Sequence, residues 1–164
     1  MTERRGMVGP GRYKRIVSVE RFDEEGPMVL RATYDDGSVA VSDLADHLYG
    51  HPMLAAVRDD PLLFARFEIE QGGGLEWPNG ADISPGRFWQ LHLMHAKEAM
   101  HHRDFRGWMK RNGLIIDTVA PVLGISRRQT ARYSSGEKLI PRTILLACKG
   151  YDAMQAEKAE EDAA

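Results

Sequence analysis

Apolar and polar residues alternate in two stretches near the start of the chain, Lys14 to Arg21 (Ile16, Val17, Val19) and Met28 to Tyr34. A period of two puts alternate side chains on opposite faces, so both stretches predict strands. Asp35-Asp36-Gly37-Ser38 follows, and Asp and Gly tolerate the positive φ of a tight hairpin, so Val39 to Val41 is expected to pair back on Met28 to Tyr34. Ser42 or Asp43 can cap a short helix through Leu44, Ala45, Leu48 and Tyr49, and Asp60 with Pro61 can open another through Leu62, Leu63 and Phe64. Phe67 to Glu70 and Leu75 to Trp77, parted by Gly72-Gly73-Gly74, predict a second hairpin. Pro78 stops its return strand, and Asn79-Gly80 makes a further turn.

Beyond Ser84-Pro85 the apolar period lengthens to that of a helix. Trp89, Leu93, Ala96 and Met100 stand at i, i+4, i+7 and i+11 and predict the longest helix of the chain. Phe105, Trp108 and Met109 mark the next, ended by Gly113. Asp117 is expected to cap a helix carrying Val119, Val122 and Leu123, closed by Gly124. Ile125 then plugs the turn, Ser126 caps a helix that runs to Gly136, and Pro141 starts a last one with Ile144, Leu145 and Cys148. The expected core of this half is Trp108, Val119, Leu123, Ile125, Tyr133 and Leu145. The fold class that follows is an α+β N-terminal domain of two antiparallel hairpins with short helices, then an all-α helix-turn-helix domain. Its expected parts are a disordered leader over 1–12, the α+β domain over 13–85, a connecting helix over 86–102, the helix-turn-helix over 103–150 and an acidic tail over 151–164.

Charge sharpens this division. The 164 residues carry a net charge of −2, yet residues 103–149 hold ten Lys or Arg against three Asp or Glu, a local +7. That is the electrostatic footprint of a nucleic-acid face, hidden inside a neutral average. No apolar run reaches the ~18 residues of a membrane span, and the first residues lack the pattern of a secretory leader, so a cytoplasmic protein is expected. Cys148 is the single cysteine and sits in an apolar stretch, which excludes an internal disulfide and a cysteine zinc cluster.

Candidate chemistry concentrates in the helix after Ser126. Arg127, Arg128 and Arg132 can each place two parallel N–H donors on guanine O6 and N7, and Gln129 can pair with adenine N6 and N7, so these four are the expected base readers. Ser126, Lys138 and Arg142 are expected to meet phosphate, which positions a protein without reading sequence. His92, His95, Glu98 and His101 recur every three residues, a step that drifts around a helix, so they read as a solvated face rather than a metal site. His47 and His51 read as surface or core-edge residues. Trp77, Trp89 and Trp108 read as core rather than as a base-stacking platform. Arg4, Arg5, Arg12 and Lys14 fit a solvated leader better than a minor-groove arm. No paired nucleophile and base, carboxylate pair or phosphate-cradling loop stands at useful spacing, so neither an enzyme nor a cofactor is expected.

Residues 104–150 resemble the Cro/repressor (XRE-type) helix-turn-helix family, through Leu123-Gly124-Ile125-Ser126, the Arg127 to Tyr133 helix, Gly136 and Ile140-Pro141-Arg142. The resemblance implies that Arg127 and Arg128 take the first exposed positions of a recognition helix, with Arg132 one turn further on the same face. It also implies a homodimer on a two-fold site in double-stranded DNA. The chain departs from the family where the second helix commonly opens with Thr-Gln: it has Ile115-Ile116 there, and Pro121 inside that helix. Residues 13–85, with Asp35-Asp36-Gly37, Leu44 to Tyr49 and Trp77-Pro78-Asn79-Gly80-Ala81-Asp82, resemble a small bacterial α+β domain family of unknown function. The function expected first is a sequence-specific DNA-binding transcriptional regulator that reads the major groove with the helix over 126–135; a second expectation, of another class, is an antitoxin-like or other protein-binding module acting through residues 13–85.

Overall fold

The computed structural model describes residues 14–164, about half of them helical, in two compact units divided between His92 and Leu93. The leader expected over 1–12, with Arg4, Arg5 and Arg12, lies outside the described residues.

The first unit opens with β1 (Ile16–Arg21), β2 (Val29–Tyr34) and β3 (Val39–Asp43), an antiparallel sheet in that order. Tyr34 accepts the turn from Gly37 N–H, and the register runs Thr33 to Val39 and Ala32 to Ala40. One face is buried through Ile16, Leu30, Ala32, Tyr34 and Ala40. Lys14 is bound to Asp36 at 2.7 Å and lies over the Trp89 ring, so it belongs to this unit rather than to a basic arm. The helix expected after Asp43 is only a single 3-10 turn, His47–Tyr49. A helix not expected, α1 (Pro52–Asp59), follows, capped by the His51 ring, which accepts from Met53 N–H. Asp60 caps α2 (Pro61–Phe64) as expected, accepting from the Leu62 and Leu63 N–H groups. β4 (Glu68–Ile69), β5 (Leu75–Glu76) and β6 (Asp82–Ile83) form a second antiparallel sheet of three strands rather than a hairpin, because the Asn79-Gly80 turn sends the chain back once more.

The longest helix expected here stops early. α3 spans Pro85–His95, and its buried residues are Phe88 and Leu91, not the Trp89 and Leu93 row. Glu98 N–H bonds to Leu93 C=O at 2.8 Å and Lys97 takes φ +59°, a left-handed helix end built without glycine. The expected helix over 86–102 is thereby corrected.

The second unit continues with β7 (Ala99–Met100), α4 (His102–Arg111), α5 (Ile116–Leu123), α6 (Arg127–Ser135), β8 (Ile140–Pro141) and α7 (Arg142–Asp162). β7 and β8 pair antiparallel, so this half is not purely helical. Its core joins Phe105, Trp108, Val119, Tyr133, Ile140, Ile144 and Cys148, with Leu123, Ile125 and Leu145 packed partly buried against it. Asp117 does not cap α5. Ile115 is the capping residue, its N–H donating to Thr118 Oγ1 at 2.9 Å, and Asp117 lies in the first turn. The acidic tail expected from 151 is helical to Asp162, as the continuation of α7.

Candidate nucleic-acid interface

Three local devices build the turn between α5 and α6. Gly124 takes φ +67°, where any other L-residue is strained, and so reverses the chain directly after α5. Ile125 N–H returns to Ala120 C=O at 3.0 Å, which seats the Ile125 side chain against the core. Ser126 Oγ then accepts from Gln129 N–H at 3.0 Å, satisfying one of the free donors at the start of α6. Thr130, fully buried, and Tyr133 hold the inner side of α6, and α6 packs on both α4 and α5. The end of α6 is fixed by Gly136 at φ +79°.

With its inner side anchored, α6 turns a polar surface outward. Ser126, Arg128, Gln129, Arg132 and Lys138 line one shallow, open depression of about 290 Å³. Five of the seven residues expected to meet nucleic acid therefore surround one surface. The other two stand elsewhere. Arg127 leans back to Asp117 on α5, and Arg142, at the start of α7, bonds to Glu98 at 2.9 Å. Arg128 and Arg132 are four residues apart and so share a face, whereas the five-residue step from Arg127 to Arg132 is more than a third of a turn out of line. The single expected face divides accordingly.

Each polar group on this surface has a defined state. Arg128 is exposed, with no partner among the described residues. Arg132 Nε donates to Glu137 Oε1 at 2.8 Å. Gln129 donates one amide hydrogen to Tyr133 OH at 2.8 Å, which keeps its side chain half-buried and leaves its second amide hydrogen and its oxygen for other partners. Lys138 sits 6.0 Å from the Tyr133 ring centre, within cation–π reach.

A contribution that the sequence pattern did not reveal comes from Asp152, on the part of α7 expected to be a loose tail. Its Oδ1 accepts from the Trp108 indole N–H at 3.0 Å and from Asn112 Nδ2 at 2.8 Å, tying the end of α4 to α7. An acid directly after an aromatic, Tyr151, and four and eight residues beyond buried Cys148 and Ile144 was the available signal.

The other candidate groups serve packing. Trp77 and Trp108 are buried; Trp89 is half-buried, edge-on to Tyr34. His92 Nδ1 lies 3.1 Å from the Val41 backbone. Among the described residues no three His, Cys, Asp or Glu side chains converge as metal ligands would, and no helix is long and apolar enough to cross a membrane.

Residues 19–90 match the family described as "Protein of unknown function (DUF2442)". This agrees with the N-terminal resemblance to a family without assigned function. The crystal structure of "Putative DNA Binding Protein NE0471 from Nitrosomonas europaea ATCC 19718" is 37% identical to the chain, covering 87% of it and 89% of that protein, with a TM-score of 0.45. No curated protein matches the chain.

Proposed function

We propose, for a chain that belongs to one family with the Nitrosomonas europaea protein by 37% identity over most of both lengths, that it is a sequence-specific DNA-binding regulator of the Cro/repressor-like kind. Its α6 is the helix that enters the major groove of double-stranded DNA. The observation that carries this reading is the convergence of Arg128, Gln129 and Arg132 with Ser126 and Lys138 on the outer side of a Ser-capped helix whose inner side is locked by Thr130 and Tyr133. Base edges are reached by side chains near the start of such a helix, and Arg128 presents an unencumbered guanidinium there. The +7 balance of residues 103–149 supplies the sequence-independent attraction to phosphate.

Arg127 contributes from the α5 side of this surface, and Arg142 is a phosphate contact that must leave Glu98 to act. Two copies read a two-fold site. The exposed row Leu146, Gly150 and Met154 on α7 suits antiparallel self-pairing, since it joins a basic first half (Arg142, Lys149) to an acidic second half (Glu157, Glu160, Glu161, Asp162).

The test compares Arg128→Ala with Arg142→Ala on the best operator and on random duplex. Arg128→Ala is expected to lose ~1 to 3 kcal/mol on the operator and to relax preference at one base pair. Arg142→Ala is expected to weaken both duplexes alike and to flatten the dependence on salt. Equal losses on both duplexes for Arg128→Ala would refute base reading by α6.

A further inference from the structure

The two carboxylates beside α6 engage its arginines by one edge only. Arg127 bonds to Asp117 through Nε, and Arg132 bonds to Glu137 through Nε at 2.8 Å; among the described residues no hydrogen bond engages the Nη pair of either. Two arginine–carboxylate pairs elsewhere in the same chain use both donors of the side edge, while Arg142 gives Glu98 a single bond from Nη1. Arg58 gives both Nε and Nη2 to Asp59, and Arg21 gives both to Asp23, so the side edge of each guanidinium is sealed.

A guanidinium has two edges able to make parallel hydrogen bonds, the Nε–Nη2 side and the Nη1–Nη2 end. A carboxylate on Nε alone occupies the side and leaves the end free, and the end carries the two parallel donors that match O6 and N7 of guanine. Both pairs are well exposed, with Arg127 at 71% and Asp117 at 62%, so they contribute little to folding. What they do is restrict long side chains that would otherwise sample many rotamers, an ordering cost that is then met before DNA arrives.

We infer that Asp117 and Glu137 are positioning residues for DNA reading, holding Arg127 and Arg132 by Nε so that their terminal amino groups are presented end-on to guanines in the major groove. The inference rests on the proposed role of α6 and adds to it two acidic residues and the base class they select. Repulsion between these carboxylates and phosphate is the accompanying cost. It weakens random DNA, where no base contact compensates, more than it weakens the operator.

The experiment measures the ratio of operator affinity to random-duplex affinity at one salt concentration for the full chain and for Asp117→Ala, Asp117→Asn, Glu137→Ala and Glu137→Gln. The alanine variants are expected to lose about fivefold or more of that ratio, each with preference for guanine relaxed at one position, while random-duplex affinity holds or rises. The amide variants keep an oxygen that accepts from Nε and are expected to retain the ratio within about twofold, which charge removal alone does not give. Alanine and amide variants that strengthen both duplexes equally, with the ratio intact, overturn the inference and leave α6 as the reader. A full chain that prefers no operator over random duplex overturns the reading of α6 and this inference with it.

Discussion

Replacing Asp152 by alanine should loosen the second unit by about 1.5 to 2 kcal/mol. The Trp108 side chain is almost wholly buried, at 1% exposure, and its one polar atom donates to Asp152 Oδ1 at 3.0 Å. Asn112 Nδ2 donates to the same oxygen at 2.8 Å, and Arg111 lies 3.9 Å from the other. A hydrogen bond to a charged acceptor contributes ~1.5 to 3 kcal/mol, and a donor left buried without one costs a similar amount. Asp152 is itself 43% exposed, so water can replace it at Asn112 but less readily at the indole, which brings the figure toward the lower part of that range. Asp152→Asn keeps an acceptor oxygen and should cost roughly a third as much. Glu160→Ala, on the exposed end of α7, should stay within about 0.5 kcal/mol of the natural chain. Urea unfolding followed by the Trp108 indole NMR signal isolates this unit from Trp77 and Trp89. Asp152→Ala unfolding at the same urea concentration as Glu160→Ala, or an asparagine variant as weak as the alanine one, would show that Asp152 does not hold α4 to α7 through the Trp108 indole.

Further expectations concern the turn, a half-buried histidine and the thiol. At Gly136 (φ +79°) an added Cβ would lie 2.9 Å from His102 Nδ1, whereas at Gly124 (φ +67°) nothing stands within 4 Å, so Gly136→Ala should cost more than the ~1 kcal/mol of left-handed strain expected at Gly124; equal losses in urea midpoint would discount the His102 contact. His47 Nε2 is buried without a hydrogen-bond partner among the described residues, and burial, then the Arg87 charge, holds its pKa below 6.5 against the opposing pull of Asp82. The folded chain therefore keeps His47 neutral while the unfolded chain takes up a proton, so this contribution is complete above pH ~6.5 and is lost as the pH falls through the folded value. Comparing urea midpoints at pH 7.5 and 5.5 should show a smaller fall for His47→Gln, and an unchanged fall would contradict the assignment. Burial, with Asp152 adding, pushes the Cys148 thiol up to about 12, so a thiol reagent at pH 8 should label the chain only after denaturation; labelling of the folded protein would contradict that burial.

The turn between α5 and α6 was the most legible part of the sequence because its signals are local. Gly124, Ser126 and Gly136 each fix a backbone angle or satisfy a donor within a few residues, and all three do so in the structure. The first hairpin was legible for the same reason, from the Gly37 turn and the alternation on either side. Features set by distant partners were not. The end of α3 depends on Lys97 in a conformation that lysine rarely adopts, with no glycine to announce it. β7 exists because Ala99 and Met100 pair with Ile140 and Pro141, some forty residues on, which no periodicity encodes. α1 begins on a histidine cap, outside the usual Ser, Thr, Asp and Asn set. At the candidate site, sequence placed the arginines on one helix, but the Arg127 contact to Asp117 crosses from α6 to α5 and sets Arg127 on the α5 side of the Arg128 and Arg132 surface, and the Arg132 contact to Glu137 depends on the turn at Gly136, none of which has a periodic signature.

Selection of bound duplex from a random pool, by the full chain at low and at moderate salt, decides whether α6 reads bases. One motif should be enriched at both salts, two-fold symmetric and bearing guanine in each half, with affinity for unselected DNA falling far more steeply as salt rises. Enrichment of no motif, or enrichment that Arg128→Ala leaves unchanged, would contradict base reading by α6.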